Sequence, residues 1–125
     1  MTVRATMLAA LLTVAATGPA TAGKLIDAAP QAMRAYADQA GYILASVKVC
    51  GGDAKEEEYF RGLARDTLVQ LGADDDDIGF LDHYMSESAK VAKPKKRECQ
   101  DENAVPLTSK LFTHRAIIEK ALKAQ

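Results

Sequence analysis

The chain has 125 residues, 16 of them basic and 17 acidic, a formal net charge of −1, no tryptophan and two cysteines. That near-balance argues against nucleic acid as a partner, because phosphate binding rests on a basic excess or a clear basic face. The length allows a single domain with one modest core once an export leader is set aside.

The leader comes first. Met1 to Arg4 carries one positive charge, Met7 to Ala16 forms a short apolar run, Gly18-Pro19 breaks it, and Ala20-Thr21-Ala22 is an A-x-A cleavage pattern. The run is shorter than the roughly 20 apolar residues that span a bilayer. Residues 1–22 are therefore expected to be a Sec-type signal peptide cut near Ala22-Gly23, leaving 23–125 as one periplasmic or secreted helical domain without a stable membrane anchor. No cysteine follows the cut to carry lipid, and no twin arginine precedes it. Loss of Arg4 leaves 15 basic against 17 acidic residues, a charge near −2.

Beyond Pro30, Met33, Tyr36, Ala37, Ala40, Ile43, Leu44 and Val47 recur at the three-and-four spacing of one helix face, and the next member is Cys50. Asp27 stands where an N-cap is expected and Pro30 suits a first turn. Gly51-Gly52 stops this helix. Asp53-Ala54-Lys55-Glu56 has capping-box spacing for a second helix with the stripe Tyr59, Phe60, Leu63, Ala64, Thr67, Leu68 and Leu71, closed by Gly72. Asp74 to Asp77 precede a third stripe, Ile78, Leu81, Tyr84, Met85, Ala89 and Ala92, which runs into Lys90, Lys93 and Pro94. Acid first and base last is the order a helix dipole favours. After the basic loop Lys93 to Arg97 and Cys99, residues 100–106 read as a polar connection. Thr108 is expected to cap a fourth helix, Leu107 to staple onto Phe112, and Leu111, His114, Ile117, Ile118, Ala121 and Leu122 to face the core. The fold class is all-α: a small four-helix bundle, most simply antiparallel.

An even cysteine count in an exported chain implies a disulfide, so Cys50 and Cys99 are expected to staple the corner between the first two helices to the segment before the last. The spacing is too long for a C-x-x-C redox motif.

Chemistry is less marked. Asp74, Asp75, Asp76, Asp77 and Asp82 offer several carboxylates to a hard divalent or trivalent cation. Against the EF-hand pattern with Gly79 at the sixth position, Asp74 and Asp76 fit the first and third. Ile78 and Met85 then occupy the fifth and twelfth, where oxygen ligands are required. His83, Glu87 and Met85 sit near a softer metal's ligand set, but Met85 belongs to the core stripe. Met33 and His114 resemble the axial pair of a haem-binding bundle such as cytochrome b, although an antiparallel pairing sets them at different levels. No nucleophile elbow, H-E-x-x-H or P-loop is present in the sequence, so no catalytic role is expected. No resident cofactor is expected either, the cation apart.

The separation of Cys50 from Cys99 and the lysine-bearing helix beyond it resemble the plan of the periplasmic acid-stress chaperones of the Hde type, with an additional full helix before Cys50. That resemblance implies loosening at low pH and capture of client proteins. The expected function is that of a non-enzymatic binding protein whose helical surface engages another exported or envelope protein. The alternatives are metal carriage at Asp74–Asp82, an acid-stress chaperone, and immunity against a toxin.

Overall fold

The computed structural model describes residues 22–99 and 101–125, and of 101–106 the backbone alone. The signal peptide expected over 1–22 lies outside them, Ala22 excepted. Among the described residues the elements are α1 (Lys24–Ala28), α2 (Pro30–Val49), α3 (Ala54–Gln70), α4 (Asp75–Val91), a 3-10 turn (Lys96–Cys99) and α5 (Asp101–Lys123). The protein is all-helical, with Cys50 bonded to Cys99. None of these helices is long and apolar enough to cross a membrane.

Two expected boundaries move. Asp27 does not cap the first long helix; it belongs to the separate helix α1, and Ala29, with φ −150° and ψ 70°, breaks the chain before α2. Pro30 causes the break, because its ring pushes the preceding residue out of the α region and it has no amide to continue α1. At the other end, α5 starts at Asp101 rather than at Thr108. The chain leaves Cys99 already wound in a 3-10 turn, and Pro106 forgoes one intrahelical bond instead of starting the helix. Leu107 is therefore no staple, and Phe112 is half-exposed.

The other ends follow the sequence pattern. The Asp53 side chain accepts from the Glu56 amide to cap α3, and Asp74 forms a reciprocal capping box with Asp77 at the start of α4. Gly51 and Gly72 close α2 and α3 with φ of 86° and 97°.

Helix α2 is the hub. It packs most extensively on α4, then on α5, while α3 is held by a thinner interface and barely meets α5. Consecutive long helices alternate in direction: Arg65 on α3 pairs with Asp82 on α4 at 3.2 Å and Arg61 reaches Ser86. The parallel pair α2 and α4 is nonetheless the closest. An atom placed as Cβ on Gly41 would lie 2.6 Å from the Met85 carbonyl oxygen and from Ser88 Cβ, so the two backbones pinch together there. Ala37 and Ala40 continue the small surface. Above it, the Arg34 guanidinium lies 4.0 Å from the Tyr84 ring centroid and pairs with Asp38, which also accepts from the Ser88 hydroxyl.

The core under this pinch is Leu25, Met33, Tyr36, Leu44, Leu68, Leu81, Met85, Leu111 and Ile118 with interleaved alanines. From α3 only Ala64 and Leu68 are buried. Tyr36 is fully buried, and its hydroxyl donates to the Ala64 carbonyl at 2.8 Å, a polar tie from the hub into the middle of α3. Burial pushes this hydroxyl from 10.0 up to about 12. The folded state thus holds the proton longer than the unfolded chain. The stability is intact below pH 10 and drains as the pH rises from there towards 12, by about 3 kcal/mol in all. Tyr36→Phe should cost about 1–2 kcal/mol at neutral pH. Urea melts across the alkaline range should show its deficit against the wild type shrinking, and a constant gap would contradict the assignment.

Candidate functional site

Three places on this frame carry polar chemistry or unusual exposure. The first is the corner where α1 meets α4. Residues Leu25 and Ile26 have amides with no partner inside so short a helix, and the carboxylate of Asp77, fully buried, supplies one. Its oxygens accept from the Leu25 amide at 3.1 and 3.0 Å, the Ile26 amide at 3.1 Å and the Asp74 amide at 3.0 Å. Asp74 accepts from the Lys24 amide at 2.9 Å and the Asp77 amide at 3.0 Å. One capping box thus serves the N-termini of two helices. The Asp74 carboxyl is held below its usual range, first by the Asp77 amide.

The five aspartates expected to gather around a cation are therefore dispersed. Asp74 and Asp77 accept backbone amides, Asp75 and Asp76 are exposed in the first turn of α4, and Asp82 pairs with Arg65. Among the described residues no group of three or more His, Cys, Asp or Glu side chains is arranged to hold a metal. His83 is exposed and meets the edge of the Tyr84 ring, centroids 4.7 Å apart. Met33 is sealed in the core and His114 is half-buried on α5.

The second place is the stapled end. Cys50 and Cys99 stand 5.4 Å apart at Cα, 49 residues apart in sequence. Beside them Glu98 accepts from the Tyr42 hydroxyl at 2.6 Å and from the Lys95 amide at 2.7 Å. The Lys95 amide, then the Tyr42 hydroxyl, lowers the Glu98 carboxyl, and Glu98 in turn raises Tyr42. The Gln39 amide nitrogen reaches the Leu107 carbonyl at 3.3 Å. These ties hold the start of α5 along α2. A hollow of about 220 Å³ between Ile43, Val47, Glu56, Cys99 and Leu107 lies beside the staple, small for an organic ligand.

The third place was not anticipated as exposed. On α3, Tyr59 is 74% and Leu63 48% open to solvent; on α5, Phe112 is 51% and Ile117 50%. Tyr59 and Leu63 lie one turn apart on one face of α3, whereas Phe112 and Ile117, five residues apart, point about 140° from each other around α5. The sequence pattern assigned Tyr59, Leu63 and Ile117 to the core, because spacing alone does not reveal how closely a neighbouring helix approaches. While α2 and α4 pinch together, α3 packs only thinly on α2 and scarcely meets α5, so these residues stay uncovered. Arg115 on α5 acts on the Tyr36 hydroxyl, which α3 also engages. Both helices accordingly flank the same stretch of α2.

Comparison with protein-family models, with curated proteins and with solved structures returned no match.

Proposed function

We propose that the protein is a non-enzymatic exported binding protein that engages another exported or envelope protein through the faces of α3 and α5. The observation that supports this is the exposure of Tyr59, Leu63, Phe112 and Ile117 on two helices that scarcely touch. Large apolar side chains gathered on a surface mark protein contacts, and aromatic anchors carry much of the energy in such contacts. Immobilised protein incubated with native envelope extract should retain a defined partner. A Tyr59→Asp, Leu63→Asp, Ile117→Asp variant should lose it while melting within a few degrees of the wild type, because none of the three positions is buried. Equal capture by the variant would refute the proposed surface.

A second reading, an acid-responsive chaperone, draws on the carboxyls of Asp74 and Glu98. Both sit below their ordinary range in the folded state. The stability they contribute is present above the ordinary carboxylate range and is lost as the pH falls through their lowered values. Their protonation loosens the α1–α4 corner and the anchor of α5, which frees the apolar faces beneath. Unchanged dye binding and unchanged client aggregation at about pH 2 would exclude this reading. Cation carriage at Asp74–Asp82 gains no comparable support, since Asp74 and Asp77 already accept amides. Toxin immunity has no specific feature behind it.

A further inference from the structure

The stapled end carries chemistry that binding through α3 and α5 does not use. Cys50 is exposed and Cys99 half-buried, and a second hollow, of about 300 Å³, opens on the bridge between them. Among the described residues its walls are Val49, Cys50, Gly51, Lys96 and Cys99. Gly51 leaves the approach clear, since a Cβ placed on it would meet nothing within 4 Å. Lys96 is the charged side chain on these walls; it is exposed and takes part in none of the ion pairs among the described residues. The hollow beside Leu107 touches the same two cysteines but is lined by Glu56 and Glu98. An anion nearing the bridge is therefore repelled on the Glu56 side and attracted on the Lys96 side. What the bridge holds is also limited. Leu111 and Ile118 bury the later part of α5 in the core, whereas Leu107, half-buried, shares its hollow with Ile43 and Val47 close to the staple.

We propose that the Cys50 sulfur is the point of attack for a dithiol reductant entering beside Gly51 and Lys96, and that opening the bridge frees the 3-10 turn and the start of α5 while α2, α4 and the later part of α5 stay packed. In the first step a thiolate of the reductant bonds to Cys50 Sγ, the bond between the two cysteine sulfurs breaks, and its electron pair leaves on Cys99 as a thiolate. In the second step the reductant's other thiolate attacks the reductant's own first sulfur, closes it into a cyclic disulfide and expels Cys50 as a thiolate. Two electrons pass from the dithiol to the bridge, and the two cysteines take up the two protons that the dithiol gave up. Attack falls on Cys50 because exchange depends on which sulfur is reached, and Cys50 is the exposed one. The stability that the bridge lends the fold favours the closed form, so a monothiol adduct reverts; a dithiol carries the reaction through by ring closure. Ile43 and Val47 then lose the cover of Leu107, and reduction adds apolar surface at this end of the molecule.

The test treats the disulfide-bonded protein with dithiothreitol at low ionic strength and without denaturant. Reduction should run within about tenfold of its rate in urea, whereas a sealed bridge waits for global unfolding and is slower by orders of magnitude. Glutathione, quenched with acid at the earliest times and located by peptide mapping, should leave its first adduct on Cys50. Lys96→Glu should slow dithiothreitol at least about threefold, with melting unchanged and with the rate of an uncharged phosphine reductant as in the wild type. In the reduced protein, amide exchange should quicken across the 3-10 turn and the first turns of α5 and stay slow in α2 and α4. Reduction only under unfolding conditions, a first adduct on Cys99, or a Lys96→Glu protein reduced by dithiothreitol as fast as the wild type overturns the entry point. Exchange that quickens evenly through all the helices overturns the local release.

Discussion

Replacing Asp77 by alanine should cost about 3–5 kcal/mol and lower the melting temperature by at least roughly 10 °C. Three backbone amides, those of Leu25, Ile26 and Asp74, lose their acceptor at once, the first in a place closed to water and the other two in part-buried ones. Each orphaned buried donor costs about 1–3 kcal/mol, and the vacated carboxylate leaves a void beside Gly23. Asp77→Asn retains one acceptor but turns an NH2 group towards these amides, so about half the loss should remain. The neighbours in the same acidic run provide the control. Asp75 and Asp76 are exposed, and their alanine variants should stay within about 1 kcal/mol of the wild type. Chemical denaturation of the four single variants decides the matter, and equal losses across the run would show that Asp77 acts only through its charge.

The second large effect is expected at the staple. In the chain-entropy account, a bridge closing 49 residues restricts the unfolded chain enough to stabilise the fold by about 4 kcal/mol. Cys50→Ser with Cys99→Ser, or reduction of the native protein, should remove most of this. The loss should also be local before it is global. The 3-10 turn and the start of α5 keep the Tyr42–Glu98 and Gln39–Leu107 hydrogen bonds to α2, which the staple no longer reinforces. Trypsin should then cut after Lys95, Lys96 or Arg97 well before it cuts within α2 or α4. Unaltered digestion after reduction would show that packing alone fixes this segment.

Both effects arise from features that the sequence displayed unevenly. The disulfide followed from two cysteines behind an expected export leader, and the caps at Asp53 and Asp74 followed from an acid ahead of each apolar stripe. The four long helices were legible because apolar spacing is a local property. Asp77 was seen only as part of an acidic run, since its partners Leu25 and Ile26 lie about fifty residues away and donate backbone amides, which no residue type advertises. Pro30 marks the break at Ala29, but a proline that suits the first turn of one helix gives no sign that another helix ends just before it. The exposed faces were the hardest to see. Tyr59 and Leu63 fall on the stripe that also carries Ala64 and Leu68, yet they lie outside the core, because α3 packs only thinly on α2 and scarcely meets α5. That is a distance between helices remote in sequence, and no spacing encodes it.

The contacts between the first part of the chain and α4 keep a fixed frame. Lys24 meets Asp74, Arg34 meets Tyr84 and Asp38 meets Ser88, each pair fifty residues apart. Parallel helices with a constant offset tolerate length changes very differently in different segments. One residue inserted between Asp77 and Tyr84 would turn everything beyond it by about 100° and separate the corner from the pinch. One residue inserted in the Gly51-Gly52 or Gly72-Ala73 connections would shift the numbering and leave every one of these contacts in place. The molecule is thus rigid in frame along α2 and α4 and permissive at the two turns that carry α3.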